Sequence, residues 1–491
     1  MTMQRDKAKQ TVTRRGQLAA KMAALLSILL LAGSHRITAA TSTITWLDPL
    51  VYQKPQAVDI VMPNESTVAN KYYVDMSAGS GSTCSSSSPC KSIDDLLGKP
   101  GTQGGPAYVY VRGTGNLSLY NDTFYGSPGN EIVIKPWGSA MAIFTGNSNT
   151  NSSSVHDIIF DGGPGLNITF RSDAAADAYS MHILSDNMTV YRTRNYSSLS
   201  GGSLLLAIGD TKVVNGVRII NNEFYGCNSS AGFQCSAIYI GPGSGGGYNN
   251  VLIQNNIIRD MGGEGIEVNP RVTSSNLTIT GNAIHNVGKQ TCSGSWQCRP
   301  GVTVSIQSGN GNNATIVSNN LIWDTGSGCL WDRGGGSPRP AYYNNTCYDY
   351  GKGSSGGGPN PEGISGYSDG GTATIQNNII YAPNGTAPFD GSNFSASNNL
   401  CASGKSCGSS NQIWSANTLL STVTGATTFL QIGSTSEARN HGAAITTLTA
   451  SYGGVTRPQE GTYDIGAFEY SGSGTGVTTP TAPSNLRIIK P

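Results

Sequence analysis

The sequence predicts an all-β solenoid of stacked parallel coils, and three observations carry that reading. A short motif recurs at one phase, glycine is abundant (65 residues) while charged residues make up only 12%, and the 37% apolar fraction suits a narrow core rather than a broad one. A long, polar chain of this kind buries its apolar residues repetitively.

The motif runs from about Val217 to Leu400 and reads apolar, two polar positions, asparagine, one variable residue, apolar. Its copies are IINNEF (219–224), IQNNII (253–258), ITGNAI (279–284), VSNNLI (317–322), YYNNTC (342–347) and IQNNII (375–380). The pivotal Asn222, Asn256, Asn282, Asn320, Asn345 and Asn378 are separated by 34, 26, 38, 25 and 33 residues, one coil each with loops of variable length. In a strand-turn coil the apolar residues on either side point inward and asparagine takes the turn, where it tolerates left-handed backbone angles. Stacked asparagines then form an internal amide ladder. An antiparallel sandwich also uses short strands with Gly/Asn turns, but it needs no asparagine at one phase of every repeat.

The N-terminus predicts export. Arg5, Lys7, Lys9, Arg14, Arg15 and Lys21 precede an apolar run from Met22 to Gly33 and a small-residue site at Thr38-Ala39-Ala40, the order of a secretory signal peptide. The run falls short of the roughly 20 residues that span a bilayer, so no permanent membrane span is expected in the mature chain, which is read as secreted, with a cell-surface location as the variant. Ten cysteines agree with an oxidising compartment: the close pairs Cys84/Cys90, Cys227/Cys235, Cys292/Cys298 and Cys401/Cys407 leave Cys329 with Cys347, for five expected disulfides. Zinc spacing is absent. A net charge of +1 argues against a nucleic-acid partner. The expected organisation is a signal peptide (1–40), an N-terminal extension (41–71), the solenoid (72–470), and a Gly/Ser/Thr/Pro-rich linker and tail (471–491) on a monomeric protein. Sequons such as Asn116, Asn167, Asn276 and Asn313 follow from the Asn/Ser/Thr-rich composition.

The opening YYVDMSAGSGSTCSSSSPCKSIDDLL (72–97), the phased asparagines and the closing GTYDIGAFEY (461–470) resemble secreted right-handed parallel β-helix proteins of the pectate-lyase-like group, over roughly Tyr72 to Tyr470. The resemblance implies a right-handed parallel β-helix, with KSIDDLL as a short amphipathic helix capping its N-terminal end.

Aligning the second strand of each coil gives AIYI (237–240), GIEV (265–268), GVTV (301–304), CLWD (329–332) and GISG (363–366). The third position of each should face solvent, stacking Tyr239, Glu267, Thr303, Trp331 and Ser365. Around them lie Glu264, Asn269, Arg271, Arg299, Asp332, Arg333, Glu362 and Tyr367, so this strip holds the carboxylates, arginines and aromatics that the rest of the chain avoids. Aromatic faces suit sugar C–H surfaces and arginine forks suit uronate carboxylates, which predicts a polysaccharide partner with Tyr239, Trp331, Tyr367 and Arg299 as binding residues. The alternative is a charged outer face that keeps the strands soluble. A second column, Tyr225, Arg259, His285, Trp323, Tyr348 and Tyr381, reads as a structural ladder with His285 as its one candidate base; Asp260, Asn286, Asp324 and Asp349 behind it read as turn residues.

For function, the resemblance implies calcium-assisted β-elimination of a uronate polymer, hydrolysis by paired acids, or ester cleavage. In the elimination reading Glu264, Glu267 and Asn269 hold Ca²⁺ and Arg271 or Arg333 directs the C5 proton, although arginine is a poor base. In the hydrolysis reading Glu267 and Asp332 are the paired carboxylates. Glu267, Arg271, Asp332 and Arg333 are thus the expected catalytic residues. A non-catalytic carbohydrate-binding adhesin needs the aromatic strip but no carboxylates.

Overall fold

The computed structural model describes residues 38–39, 44–48, 55 and 57–472, apart from 121, 147, 152, 173–178, 198–203, 228–234, 242, 289–298, 306–311, 335–337, 354–361, 367–370, 385 and 391–392. The signal peptide apart from Thr38 and Ala39, Tyr367, and the C-terminal tail apart from its first two residues lie outside the described residues.

Each coil contributes one strand to each of three sheets. In one coil these are Gly247–Gln254, Ile257–Met261 and Ile266–Val268; in the next, Ser274–Thr280, Ala283–Val287 and Val302–Val304. Pairing between coils is parallel and in register, so identical phases stack. Ile219, Ile253, Ile279, Val317, Tyr342 and Ile375 form one inward row. Phe224, Ile258, Ile284, Ile322, Cys347 and Ile380 form the second. The third sheet has ten strands, with Ile238, Ile266, Val302, Leu330 and Ile364 inward. These rows are solvent-free and make one continuous core. The architecture is the expected all-β solenoid.

Between the first and second sheets runs the asparagine ladder. The Asn222 amide nitrogen and side-chain Nδ2 donate to Asn256 Oδ1 at 2.9 and 3.0 Å, and Asn256 repeats both bonds to Asn282 at 3.0 and 2.9 Å. The pattern continues through Asn320, Asn345 and Asn378 to Asn399, a seventh rung that the motif does not reach. At the other end Thr193 takes the place of asparagine, its amide donating to Asn222 Oδ1. One expectation is corrected. The left-handed residue is not the ladder asparagine but the one before it: Asn221, Asn255, Gly281, Asn319, Asn344, Asn377 and Asn398 all have φ between 51° and 68°. The two jobs need different residues because a side chain aimed along the stack requires its backbone to have re-entered the next strand. Asp260, Asn286, Asp324 and Asp349 are also left-handed, as expected of turn residues.

Four of the five expected disulfides are present: Cys84–Cys90, Cys227–Cys235, Cys329–Cys347 and Cys401–Cys407. The fifth expected pair differs in standing, because Cys292 and Cys298 both lie outside the described residues. The expected capping helix is not formed. KSIDDLL makes a single 3₁₀ turn, Asp94–Leu96, with Ile93 and Leu96 in the core. Cys90 is tied to Tyr73 and Asp75 through the backbone, and left-handed Gly98 ends the segment, leaving room for one turn. Among the described residues no helix is long and apolar enough to cross a membrane.

Two segments from outside the coils, at Leu47–Asp48 and at Phe429, pack on the second sheet. Leu47 and Asp48 donate backbone N–H groups to Glu223, and the Asp48 carboxylate meets His285 Nε2 at 2.6 Å and Arg259 at 3.6 Å. His285 stacks on Trp323 at 4.4 Å, and Phe429 packs edge-on against Trp323. The second column is therefore a structural ladder, and His285, buried beneath Asp48, has no access to substrate. The closing segment GTYDIGAFEY packs on the turn beside the asparagine ladder: Asn344 Nδ2 donates to the carbonyls of Asp464 and Gly466, and Arg457 pairs with Glu469 inside it.

Candidate functional site

The third sheet positions the candidate site. Its strands alternate, so Ile238 and Ile240 enter the core while Tyr239 points out, and the register extends this outward column through Ser118, Asn149, His182, Ala207, Tyr239, Glu267, Thr303, Trp331, Ser365 and Asp390. Five of these ten were expected. The column points away from the core but, against expectation, is not solvent-exposed: Tyr239 and Glu267 are 8% accessible, Trp331 4% and Thr303 0%. The strands from Ile238 to Gly366 are three residues long. Just beyond them Asn269 donates its N–H to Ile240, Arg271 to Gly246 and Arg333 to Val304, which ties each exit segment to the preceding coil.

At the centre is Glu267. Burial pushes its pKa up to about 8, and the neighbouring Glu264 carboxylate adds to the rise, while Arg299, Arg333 and a hydrogen bond with Tyr239 oppose it. Tyr239 is pushed up to about 12, chiefly by burial, and accepts a bond from Asn269 Nδ2 at 3.2 Å. Arg333 lies over the Trp331 ring at 5.1 Å. Arg271 is exposed at the rim, close enough for its charge to act on Tyr239.

Glu264 plays a different part. Its Oε1 accepts from Arg299 at 2.9 Å and its Oε2 from Ser236 at 3.0 Å, and the side chain is fully buried. The trio expected to hold Ca²⁺ therefore has one carboxylate with both oxygens engaged, one shifted toward its neutral form, and an amide whose nitrogen faces Tyr239. Calcium takes six to eight oxygen ligands. As arranged, Glu264, Glu267 and Asn269 do not fit it, and among the described residues no three His, Cys, Asp or Glu side chains gather for a metal.

Asp332 does not join Glu267. It follows Trp331 and so falls on the other face of the strand, in register with the inward Val304 and Val268. There it forms a pair with Arg339 at 2.7 Å, both side chains fully buried. The expected carboxylate pair is thus divided by the sheet itself.

The sequence pattern does not single out Tyr179, His182 and Asp210, three coils from Glu267. His182 stands in the outward column, its ring 4.5 Å from Tyr179. The Tyr179 hydroxyl donates to Asp210 Oδ2 at 3.0 Å, and His182 Nε2 lies 3.6 Å from the same oxygen. Carrying the third-strand alignment upstream through LLLAI (204–208) and YSMHI (179–183) finds His182; the ladder motif starts too late to point there.

No protein-family model matches the chain, and no curated protein sequence does. Among solved structures it is similar to the pectate lyase Pel9A, with a TM-score of 0.54 at 15% identity over 82% of this chain and 98% of that one. A rhamnogalacturonan lyase aligns with a TM-score of 0.49 at 11% identity, over 74% of this chain and 97% of that one. The likeness to Pel9A shows the fold. The chain folds as a right-handed parallel β-helix.

Proposed function

We propose that this protein binds a uronate-containing polysaccharide along the third sheet and cuts it by β-elimination around Glu267. The observation that carries the reading is the placement of Glu267, buried beside Tyr239 and pushed toward its neutral form by that burial and by Glu264, with Arg333, Arg299 and Arg271 close by. β-Elimination requires the uronate carboxylate to be neutralised so that the C5 proton becomes acidic. A protonated carboxyl and a guanidinium are the groups that do this without a metal, by short charge-assisted hydrogen bonds. Arg333 and Glu267 would hold the carboxylate and Trp331 would stack on the adjoining sugar face; Tyr239, as the phenolate, would take the C5 proton as the C4–O bond breaks and the C4=C5 double bond forms, and would return that proton to the departing oxygen. The fold supports the reading by analogy, since Pel9A is a pectate lyase. The export signal read at the N-terminus and the oxidised cysteines are consistent with a polymer met outside the cell.

A second reading, hydrolysis, is favoured by one feature: a carboxyl held protonated at neutral pH is also what a general acid needs. Against it, Asp332 is on the wrong face and Glu264 is locked to Arg299.

Incubation with polygalacturonate, alginate, glucuronate-containing and neutral polysaccharides, with and without EDTA, separates the readings. Ultraviolet absorbance from an unsaturated product supports elimination, and its survival in EDTA supports a site that works without calcium. New reducing ends without that absorbance would replace elimination by hydrolysis. Binding without either would leave the adhesin reading.

A further inference from the structure

We propose that the outward column carries a second sugar-binding region around Asn149, His182, Tyr179 and Asp210, and that it takes a sugar unit lacking a free carboxylate. The proposal rests on the reading of the column as the polymer's path and adds to it the reach and charge pattern of the substrate.

The first support is a row of buried polar atoms with no hydrogen-bond partner among the described residues: Asn149 Oδ1, His182 Nε2, Thr303 Oγ1 and Trp331 Nε1. Buried polar atoms are nearly always satisfied, and an orphan in a native structure calls for an explanation. These four belong to one column of one sheet, aimed the same way on different coils, and the His182 Nε2 faces the Asp210 carboxylate at 3.6 Å. Sugar hydroxyls both donate and accept, so one polyhydroxyl chain satisfies the amide oxygen and imidazole at one end and the hydroxyl and indole N–H at the other.

The second support is the charge pattern. Arg271, Arg299 and Arg333 gather at the Glu267 end. At the His182 end the charge nearest the column is Asp210, and burial lowers the His182 pKa so that the ring is neutral. A uronate carboxylate fits the first environment and is repelled by the second. At strand spacings of about 4.8 Å, His182 and Glu267 stand roughly 14 Å apart, too far to act on one bond and suited to different units of one polymer. The Tyr179 ring beside His182 offers a face for sugar C–H groups.

The test uses the full-length protein and oligosaccharides of whichever panel polymer it cleaves or binds, in free-acid and methyl-esterified forms, followed by calorimetry and steady-state kinetics. Wild type is expected to prefer chains esterified at the unit reaching His182. Asp210→Asn should abolish the preference by tightening free-acid binding about tenfold, whereas Tyr179→Phe, which keeps the charge, should preserve it. His182→Ala should raise KM for long chains about tenfold, the weight of one or two hydrogen bonds, with kcat unchanged and short oligomers unaffected. Cleavage with all three variants indifferent to esterification and length overturns this region and leaves the cutting site standing. Binding without cleavage, with the preference lost only in Asp210→Asn, supports the region and removes the cutting. If no polymer binds, both fall.

Discussion

Replacing Asn256 by alanine tests what holds the coils in phase. The Asn256 side chain makes four hydrogen bonds: Oδ1 accepts from the Asn222 amide at 2.9 Å and from Asn222 Nδ2 at 3.0 Å, and Nδ2 donates to the Ile219 carbonyl and to Asn282 Oδ1, each at 2.9 Å. Truncation leaves Asn222 Nδ2 its bond to Val190 and Asn282 Oδ1 its bond from the Asn256 amide, but the buried Asn222 N–H loses its partner. An orphaned buried donor costs about 1–3 kcal/mol and each of the three other lost bonds about 0.5–1.5 kcal/mol, so the variant should lose at least about 2.5 kcal/mol. The neighbouring Asn255→Ala strains the left-handed angle by about 1–2 kcal/mol on top of what its side chain contributes, and Asn255→Gly should recover that roughly 1–2 kcal/mol. Urea unfolding followed by circular dichroism measures all three. A loss below about 1 kcal/mol for Asn256→Ala, or one no larger than for Asn255→Ala, would refute the assignment of rung and turn to adjacent residues.

Three further outcomes follow from the site. Folding raises the Glu267 pKa from 4.5 to about 8, so between those values the folded protein holds an extra proton. Its stabilising contribution is complete below pH 4.5 and is lost as pH rises toward 8, and Glu267→Gln should flatten that part of the stability–pH curve. In kinetics, loss of the same proton should appear as an alkaline limb near pH 8 in wild type; Glu267→Gln, which keeps a neutral hydrogen-bond donor, should retain turnover and lose that limb, whereas Glu267→Ala should lose turnover, and full turnover in Glu267→Ala would remove Glu267 from the chemistry. Asp332→Asn strands Arg339 in the core and should cost about 3–5 kcal/mol in melting experiments, whereas replacing both by apolar residues of similar size should recover most of it. A variant that stays stable but loses turnover would return Asp332 to the site.

The solenoid was readable because its physics repeats. One asparagine per coil, flanked by residues that must point inward, leaves a periodic trace that survives loops of unequal length, and the register in the structure follows it from Asn222 to Asn378. Asn399 escaped because its coil reads FSASNNLC, where the small Ala396 stands at the phase that Ile, Val or Tyr holds in the other coils. The Asn/Asn doublets hid a division of labour, since two adjacent identical residues give no hint which carries the left-handed angle. The strap formed by Asp48 could not be seen at all: its contacts with Glu223 and His285 join residues 175 and 237 apart in sequence, with no pattern linking them.

The site was half readable for a related reason. Strand parity places Glu267 and Trp331 on one face, and the same parity places Asp332 on the other. Grouping charged residues by proximity along the chain ignores that constraint, whereas strict parity along CLWD separates Asp332 from Glu267 on sequence grounds alone. Burial is the harder quantity. Nothing in GIEV or CLWD distinguishes a strand open to solvent from a buried one, yet that burial gives Glu267 its chemistry. The carboxyl of an exposed Glu267 would ionise near 4.5 and repel a uronate at neutral pH. Buried, and beside Glu264, it is pushed toward its neutral form and can receive one. The burial of Glu267 beside Glu264 is what suits this point of the column to an acidic polymer.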